Sequence, residues 1–560
     1  VYIPKKWNTD RGKLFFFVGQ EFKKVRSPSS RVGIVPTAEE RVGNFSRSTM
    51  RAPVDPTTKQ PFPGNTIPAD RLSPNGQALA KIYPLPNFTG PGGNYYTAIS
   101  SPTNRSSTIT RLDYMISPKW TLSLRNIYDN QLTSDPFGVF GGTIPIQGTT
   151  SENPAFNSQI QLMTIINPTT INEVLLGLSS FRNRSYPYPQ FASRSQYGIT
   201  YPEVAAGNVG GMIPNVTVSG LSFLGVSSAP TGSGSPSYHW RDNFSKTISR
   251  HTLKFGIYIE NGGHHRFNRA NDNGSFSFNL ATSNTLSTGN ALADLLLGNA
   301  DSYSEAGIAP YNDYRYRNYE FYAQDSWKAR PNLTIEYGMR YSIWPPYYHQ
   351  YNAMAAWSAN YFDPSKVPQM NANGSIVPGT GDLYNGVVLP GNGFTDDAKG
   401  RVSQAGDAQI QRLFRGLPKG LSRTLYGGVG PRLGISWDPL GNGRMAVRAG
   451  IGLVQGRSDM EAITFGLADY PPFATPTVSI TSAPVDNPSR GVSPESLLYP
   501  QSFRVVDLNY KNPSVVNWHF SIQKELPGQI IADVGYVGNQ SSHNSRGRPI
   551  NILSPAQQQA

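Results

Sequence analysis

The chain has 560 residues, no cysteine and a formal charge of +13, enough length for one very large or several ordinary domains. Charged residues make up only 15% and hydrophobic residues 38%, while 55 Gly, 46 Pro, 30 Tyr and 26 Phe fill the gap; an ordinary soluble protein carries about 25% charge. The 49 Lys and Arg form no basic run or nucleic-acid module, so no nucleic-acid partner is expected, and no apolar run reaches the roughly 18 residues of a transmembrane helix.

The chain starts at Val1 without Met or signal peptide and ends at Pro555–Ala560 like the middle of a loop, so truncation at both ends is expected. Lys13 to Lys24 reads as a Phe-rich strand. Val25 to Thr103 is a long Pro/Gly-rich stretch, in which Ser73-Pro74 opens a short helix reaching about Tyr83, with Ser as N-cap and Pro at the first helical position.

A rhythm of hairpins follows. Leu112, Tyr114 and Ile116 lead into a turn at Ser117-Pro118-Lys119, and Trp120, Leu122 and Leu124 lead out. A weaker hairpin runs from about Asn157 to Arg182 around Asn167-Pro168. The third, Tyr238 to Glu260, turns at Ser249-Arg250-His251, and a helical turn at Gly289 to Leu297 precedes the fourth. That fourth hairpin, Asn318 to Trp344, is the clearest. Its odd positions are apolar and its even positions polar, with only Tyr322 and Asp325 out of step, around a turn at Ala329-Arg330-Pro331-Asn332. The fifth turns within Asp438–Gly443 and the sixth at Leu526-Pro527-Gly528.

A ribbon with one oily and one polar face fits either a soluble sandwich core or the wall of a transmembrane barrel. Loop lengths favour the barrel. Short turns alternate with the long connections Gln131–Ala155, Ser185–Ser237, Pro345–Gly427 and Gly456–Pro513, the asymmetry of periplasmic turns and extracellular loops. No propeller-type repeat is present. Trp120, Trp327, Trp437 and Trp344 stand near hairpin ends, where an interfacial aromatic girdle is expected. The fold expected is therefore all-β: an antiparallel up-and-down transmembrane barrel with long extracellular loops. Phe15, Phe17, Phe255, Tyr337 and Val447 should face away from the barrel axis. Lys254, Arg340 and Arg448 should face into it, with Arg125, Lys328, Glu320 and Glu336.

Several phrases then carry a resemblance. They are Ile34-Val35-Pro36-Thr37-Ala38-Glu39-Glu40-Arg41 followed by Gly43-Asn44-Phe45-Ser46, PFPGNTIPADRLSP at Pro61–Pro74, and YPLPN at Tyr83–Asn87. They continue as RHTLKFGIYIE at Arg250–Glu260, ALADLLLG at Ala291–Gly298, and FYAQDSWKARPNLTIEYGMRY at Phe321–Tyr341. PRLGISWDPLGNG at Pro431–Gly443 and NWHFSIQKELPGQIIADVGYVGN at Asn517–Asn539 complete the set. In this order, from about Lys5 onward, the set resembles the Oar-like TonB-dependent outer-membrane receptors of acidobacterial type. The resemblance implies a barrel of about 22 strands filled by an N-terminal plug. It also implies a preceding regulatory-like β-domain and a short box pulled by an inner-membrane TonB complex. Roughly 13 strands are counted here. Residues 1–560 are thus read as a barrel domain truncated at both ends, without plug, box or extra domain. The partners implied are outer-membrane lipid, the TonB complex and a substrate such as a saccharide or peptide. Localisation is the outer membrane.

Motifs of catalysis are not expected to carry function. His264-His265 would point to opposite faces and chelate poorly. Asn271-Asp272-Asn273-Gly274 lacks the calcium ligands, with Arg269 and Leu280 at the first and twelfth positions. Gly450-Ile451-Gly452 lies mid-strand with no helix after it, its glycines giving lumenal room or bending. No catalytic, cofactor, metal or substrate-binding residue is assigned, and no enzyme is expected. The function expected is TonB-driven uptake of a large or scarce substrate. A structural or adhesive surface barrel is the alternative, and a passive porin the third.

Overall fold

The computed structural model describes residues 6–138, 142–146, 148–187, 193–205, 208, 211–225, 230–268, 272–307, 312–371, 376–457, 467, 472–473, 477–491 and 510–547. The end Pro555–Ala560, and Arg269 and Asn271 of the calcium-like loop, lie outside them. One sheet of 14 strands dominates: thirteen long strands plus Tyr348–His349, which pairs beside Tyr314 and Arg315. The long strands are β1 (Leu14–Gly33), β2 (Tyr95–Ser117), β3 (Trp120–Asp135), β4 (Thr149–Asn167), β5 (Thr170–Pro187), β6 (Thr231–Ile248) and β7 (His251–Asn268). They continue as β8 (Asn312–Arg330), β9 (Leu333–Trp344), β10 (Leu425–Trp437), β11 (Met445–Gln455), β12 (Ser514–Leu526) and β13 (Ile530–Ser542). Each pairs antiparallel with the next, so the sheet is one up-and-down meander.

Local chemistry explains the turns. Two-residue turns at Pro118-Lys119, Pro168-Thr169, Ser249-Arg250 and Pro331-Asn332 close four hairpins, and proline pre-sets φ at the first position of three. The Asp438 carboxylate organises the next turn by accepting from the amides of Leu440, Gly441 and Gly443 at 3.2, 3.1 and 2.7 Å. Gly528 takes φ 82° in the last turn, where a side chain would be strained.

Register carries each face across the sheet. The row Leu112, Leu124, Ile160, Leu176, Trp240, Ile259, Tyr319 and Ile343 crosses eight strands with only aliphatic and aromatic side chains and no charge. The adjacent row on the opposite face is Arg111, Arg125, Gln159, Gly177, His239, Glu260 and Asn318. Phe255, Tyr337 and Val447 fall on the apolar face, and Lys254, Arg340 and Arg448 on the polar one, as their spacing requires.

Three expectations are corrected. Phe15 and Phe17 pair with Asp113 and Arg111 and so share the polar face; Phe16 and Val18 carry the apolar face, 64% and 61% exposed. The run Phe15-Phe16-Phe17-Val18 is apolar on both faces, so alternation could not assign its parity. Second, β1 continues past Lys24 to Gly33, and β2 begins at Tyr95, inside the stretch read as a connection. Pairing from Val25↔Thr103 to Gly33↔Tyr95 holds this extension, and Pro28 is tolerated because β1 is an edge strand. Third, the long connections are not structureless.

They pack into bodies at one end of the sheet. The larger draws on residues 34–94, 142–146, 193–205, 208, 211–225, 272–307 and 477–491. Its core holds Leu79, Leu224, Phe276, Phe278, Leu292, Leu295 and Tyr303, all fully buried. Helix α1 (Pro74–Ile82) is capped by Ser73 Oγ, which accepts from Gly76 N at 2.8 Å. It packs on α2 (Ala291–Leu297), capped by Asn290 Oδ1 through Leu292 N and Ala293 N. A small sheet orders Val478–Thr481, Ser302–Glu305, Ser275–Phe278 and Asn215–Val218 side by side. The second body draws on residues 351–371 and 376–414 together with Phe473, and surrounds Tyr351, Val387, Leu389, Ile410 and Leu413. Among the described residues β1 and β13 each pair on one side only.

Candidate functional site

The polar face is a connected surface rather than scattered charge. Arg111 meets Asp113 at 2.7 Å, and Ser123 Oγ donates to Asp113 at 2.6 Å. Arg125 donates to Gln159 at 3.2 Å. Glu173 accepts from Arg241 and Asn243, both at 3.3 Å, and Tyr322 donates to Asn243 at 2.9 Å. Arg340 is paired with Glu320, which also accepts from Trp344 Nε1 at 3.1 Å. Arg448 donates to Gln523 at 3.0 Å. These are side chains that prefer a wet lumen to lipid.

Tyr322 and Asp325, the two residues out of step, are both accounted for. Tyr322 belongs to the polar network just described. Asp325 sits on the apolar face yet is 5% exposed, accepting from Tyr337 Oη at 2.9 Å and lying 2.6 Å from His251 Nδ1. Buried carboxylates need such partners.

Toward the long-connection end the polar face gathers into a cluster. Glu260 accepts from Ser237 Oγ at 2.6 Å, Tyr316 Oη at 3.0 Å and Asn318 Nδ2 at 2.7 Å. Arg457, just beyond β11, reaches back to β8 and donates to Arg317 O at 2.5 Å and Asn318 Oδ1 at 2.6 Å. Its guanidinium lies 5.1 Å from the Tyr316 ring centroid and 4.5 Å from that of Tyr347, a cation held between aromatic faces. Burial pulls the Arg457 guanidinium below its ordinary pKa. Its Nε and Nη1 have no hydrogen-bond partner among the described residues. The arrangement brings two buried, unpaired guanidinium N–H groups, two half-buried tyrosine rings and a carboxylate to one place.

Glycines on this face make room for rings. A Cβ at Gly177 would lie 2.1 Å from His239, one at Gly256 2.1 Å from Tyr322, one at Gly262 2.0 Å from Tyr316, and one at Gly450 2.4 Å from His519. The lumenal-room reading of Gly450 thus has a geometry.

Trp120, Trp327 and Trp437 stand at the turn end on the apolar face, 43%, 36% and 44% exposed. Trp344 does not join them. It is 6% exposed, at the opposite end, and bonded to Glu320. His264 and His265 separate as expected, with Ser235 Oγ 3.0 Å from the first and Asp313 3.2 Å from the second. Of the calcium-like loop, Asn273 Nδ2 donates to Ile213 O at 2.6 Å and Gly274 has φ 78°, a turn's geometry. The Glu260–Arg457 cluster escaped the sequence reading because its members lie in five separate segments. No motif joins them.

Residues 10–560 match the family described as an outer membrane beta barrel domain, and the chain belongs to it. The apolar face therefore meets lipid, the polar face lines the interior, and the packed bodies are extracellular. No curated protein matches the chain. Among solved structures it is similar to the outer membrane transporter YddB from Escherichia coli, at 10% identity over 79% of this chain and 41% of that one, TM-score 0.42. It is also similar to the alcaligin outer membrane receptor FauA from Bordetella pertussis, at 8% identity over 81% and 47%, TM-score 0.37. A third is the ferric-catecholate import receptor Fiu from Escherichia coli K12, at 8% identity over 81% and 53%, TM-score 0.39. The chain thus spans 41–53% of the length of these three.

Proposed function

We propose that this chain is the barrel of an active importer that takes a large or scarce substrate across the outer membrane, driven by TonB. The observation that supports it most is the interior: a polar, hydrogen-bonded face that culminates in the Glu260–Arg457 cluster. A barrel built only to display loops has no need of such a mouth. In this reading the plug and the TonB-contacting box belong to segments other than residues 1–560. The interior cations Lys254, Arg340 and Arg448 are then the plug's docking partners. The half-buried Tyr316 and Tyr347 rings beside the unpaired Arg457 donors suit a saccharide or a peptide, which offers both stacking surface and hydrogen-bond acceptors.

The rival, a structural or adhesive surface barrel, draws on the two packed extracellular bodies, which present large ordered surfaces. Growth of the source strain on candidate polymers or chelates decides between them, with and without this gene in TonB-intact and TonB-deficient backgrounds. Import predicts a gene-dependent advantage that vanishes without TonB. An equal effect in both backgrounds removes the coupling. No dependence on any substrate, together with lost surface attachment, puts adhesion first.

A further inference from the structure

The polar interior is not the only place where cations collect. On the outside of the wall, at the extracellular end of β8, a pocket of about 600 Å³ is lined by Arg317, Lys419 and Arg423 beside Tyr319, Tyr348 and Tyr426. Arg317 pairs with Asn261 in the row that also holds Tyr238, so it belongs to the lipid-facing side. The three cations are exposed, and none has an ion-pair partner among the described residues. Lys419 Nζ lies 5.7 Å from the Tyr348 ring centroid, and Pro345, Pro346 and Pro418 stiffen the rim.

Height decides what such a pocket meets. Trp327 marks the turn-side edge of the apolar belt on the same strand, ten residues from Arg317. At about 3.4 Å per residue and a tilt of about 40°, that separation is about 25 Å along the membrane normal, the height of the apolar band of an outer-membrane barrel. The cations therefore stand where hydrocarbon ends and the headgroups of the outer leaflet begin. Tyrosines beside them are suited to that boundary.

We infer that this pocket holds the phosphorylated headgroup of an outer-leaflet lipid. Arg317 and Arg423 present planar donor forks to phosphate oxygens and Lys419 a point charge, while the tyrosine rings carry the sugar or glycerol portion. The site lies on the wall opposite the interior and is independent of any cargo.

The test uses the full-length protein purified from outer membranes in uncharged detergent. A triple variant carries Arg317→Gln, Lys419→Gln and Arg423→Gln. A control carries Arg47→Gln, Lys81→Gln and Lys399→Gln, three exposed cations elsewhere. Both are first shown to be folded by gel mobility without heating. Binding is then titrated with bisphosphorylated lipid A, with its dephosphorylated form and with inorganic phosphate. The expected result is tight binding of the bisphosphorylated lipid to wild type and control. Affinity of the triple variant should fall roughly 100-fold, since each cation near an anionic lipid surface is worth about a factor of five. Equal affinity in wild type and triple variant overturns the site. Equal affinity for the dephosphorylated lipid overturns phosphate recognition. Inorganic phosphate binding as tightly as the lipid overturns the lipid assignment.

Discussion

At the scale of single residues, glycine over ring is the most testable device. Gly262 and Gly434 both lie on the interior face, yet they have different surroundings. A Cβ at Gly262 would meet the Tyr316 ring at 2.0 Å, whereas one at Gly434 meets nothing nearer than 3.8 Å. Gly262→Ala must therefore displace Tyr316 and with it the Glu260 hydrogen bond and the Arg457 stack, at about 1–3 kcal/mol for overpacking. Gly434→Ala should stay within about 0.5 kcal/mol, since it limits the unfolded chain without a clash. Unfolding midpoints of the two variants in detergent check this, and equal midpoints refute it. A second residue sets a pH dependence. The His349 imidazole is buried in the extracellular end, and Nδ1 accepts from the amides of Tyr351 and Ala353 at 3.3 and 3.2 Å. Burial pulls its pKa down to about 4. The unfolded chain, near pKa 6.5, binds the proton more readily, so stability is full above about pH 6.5. It is lost as pH falls toward about 4, by about 3 kcal/mol in all. The second extracellular body should unfold more readily as pH falls through that window, and His349→Leu should flatten the slope. A wild-type curve flat between those pH values sinks the prediction. Residues also mark the limit of sequence reading. Parity told that Tyr337 faces lipid and Arg340 the interior, but it could not tell Phe15 from Phe16, because both neighbours are apolar.

At the scale of elements, what is local was legible and what is long-range was not. Pro118, Pro331 and the Asp438–Gly443 run announce their turns chemically, and Ser73-Pro74 announces α1. Nothing near Val25–Gly33 announces that β1 continues, because the extension is held by pairing with Thr103–Tyr95, some seventy residues on. The extracellular bodies were missed for the same reason. Phe276, Tyr303, Leu79 and Leu292 meet from distant segments, and their spacing within each segment is unremarkable. The contact between α1 and α2 tests how much the larger body depends on one element pair. Gly76 approaches the Leu295 carbonyl so closely that a Cβ would lie 2.2 Å from that oxygen. Backbone cannot swing aside as a side chain can, so Gly76→Ala should separate the helices at about 1–3 kcal/mol. Ser73→Ala removes only the cap, at about 1 kcal/mol. Amide exchange should rise across 34–94 and 272–307 in the first variant and less in the second, with the strands unchanged. Equal exchange in both would show that the helix contact is not what holds this body.

At the scale of the whole molecule, the apolar row from Leu112 to Ile343 and its polar neighbour from Arg111 to Asn318 make a wall with two different solvents. Such a wall is stable only if its backbone groups are satisfied wherever lipid touches them. Among the described residues β1 and β13 each leave one side without a partner. Strand edges of this kind template association with other chains, and in lipid each unsatisfied group costs several kcal/mol. β1 is 20 residues long and β13 is 13, so the exposed ladder is extensive. Residues 1–560 produced alone and refolded in detergent should therefore form aggregates or heterogeneous oligomers. Adding further strands that bridge β13 to β1 should yield a monodisperse barrel that resists protease. Light scattering and protease protection on the two preparations distinguish them. A monodisperse, sharply melting monomer of residues 1–560 in the absence of detergent would overturn both the open wall and the lipid-facing assignment of its apolar rows.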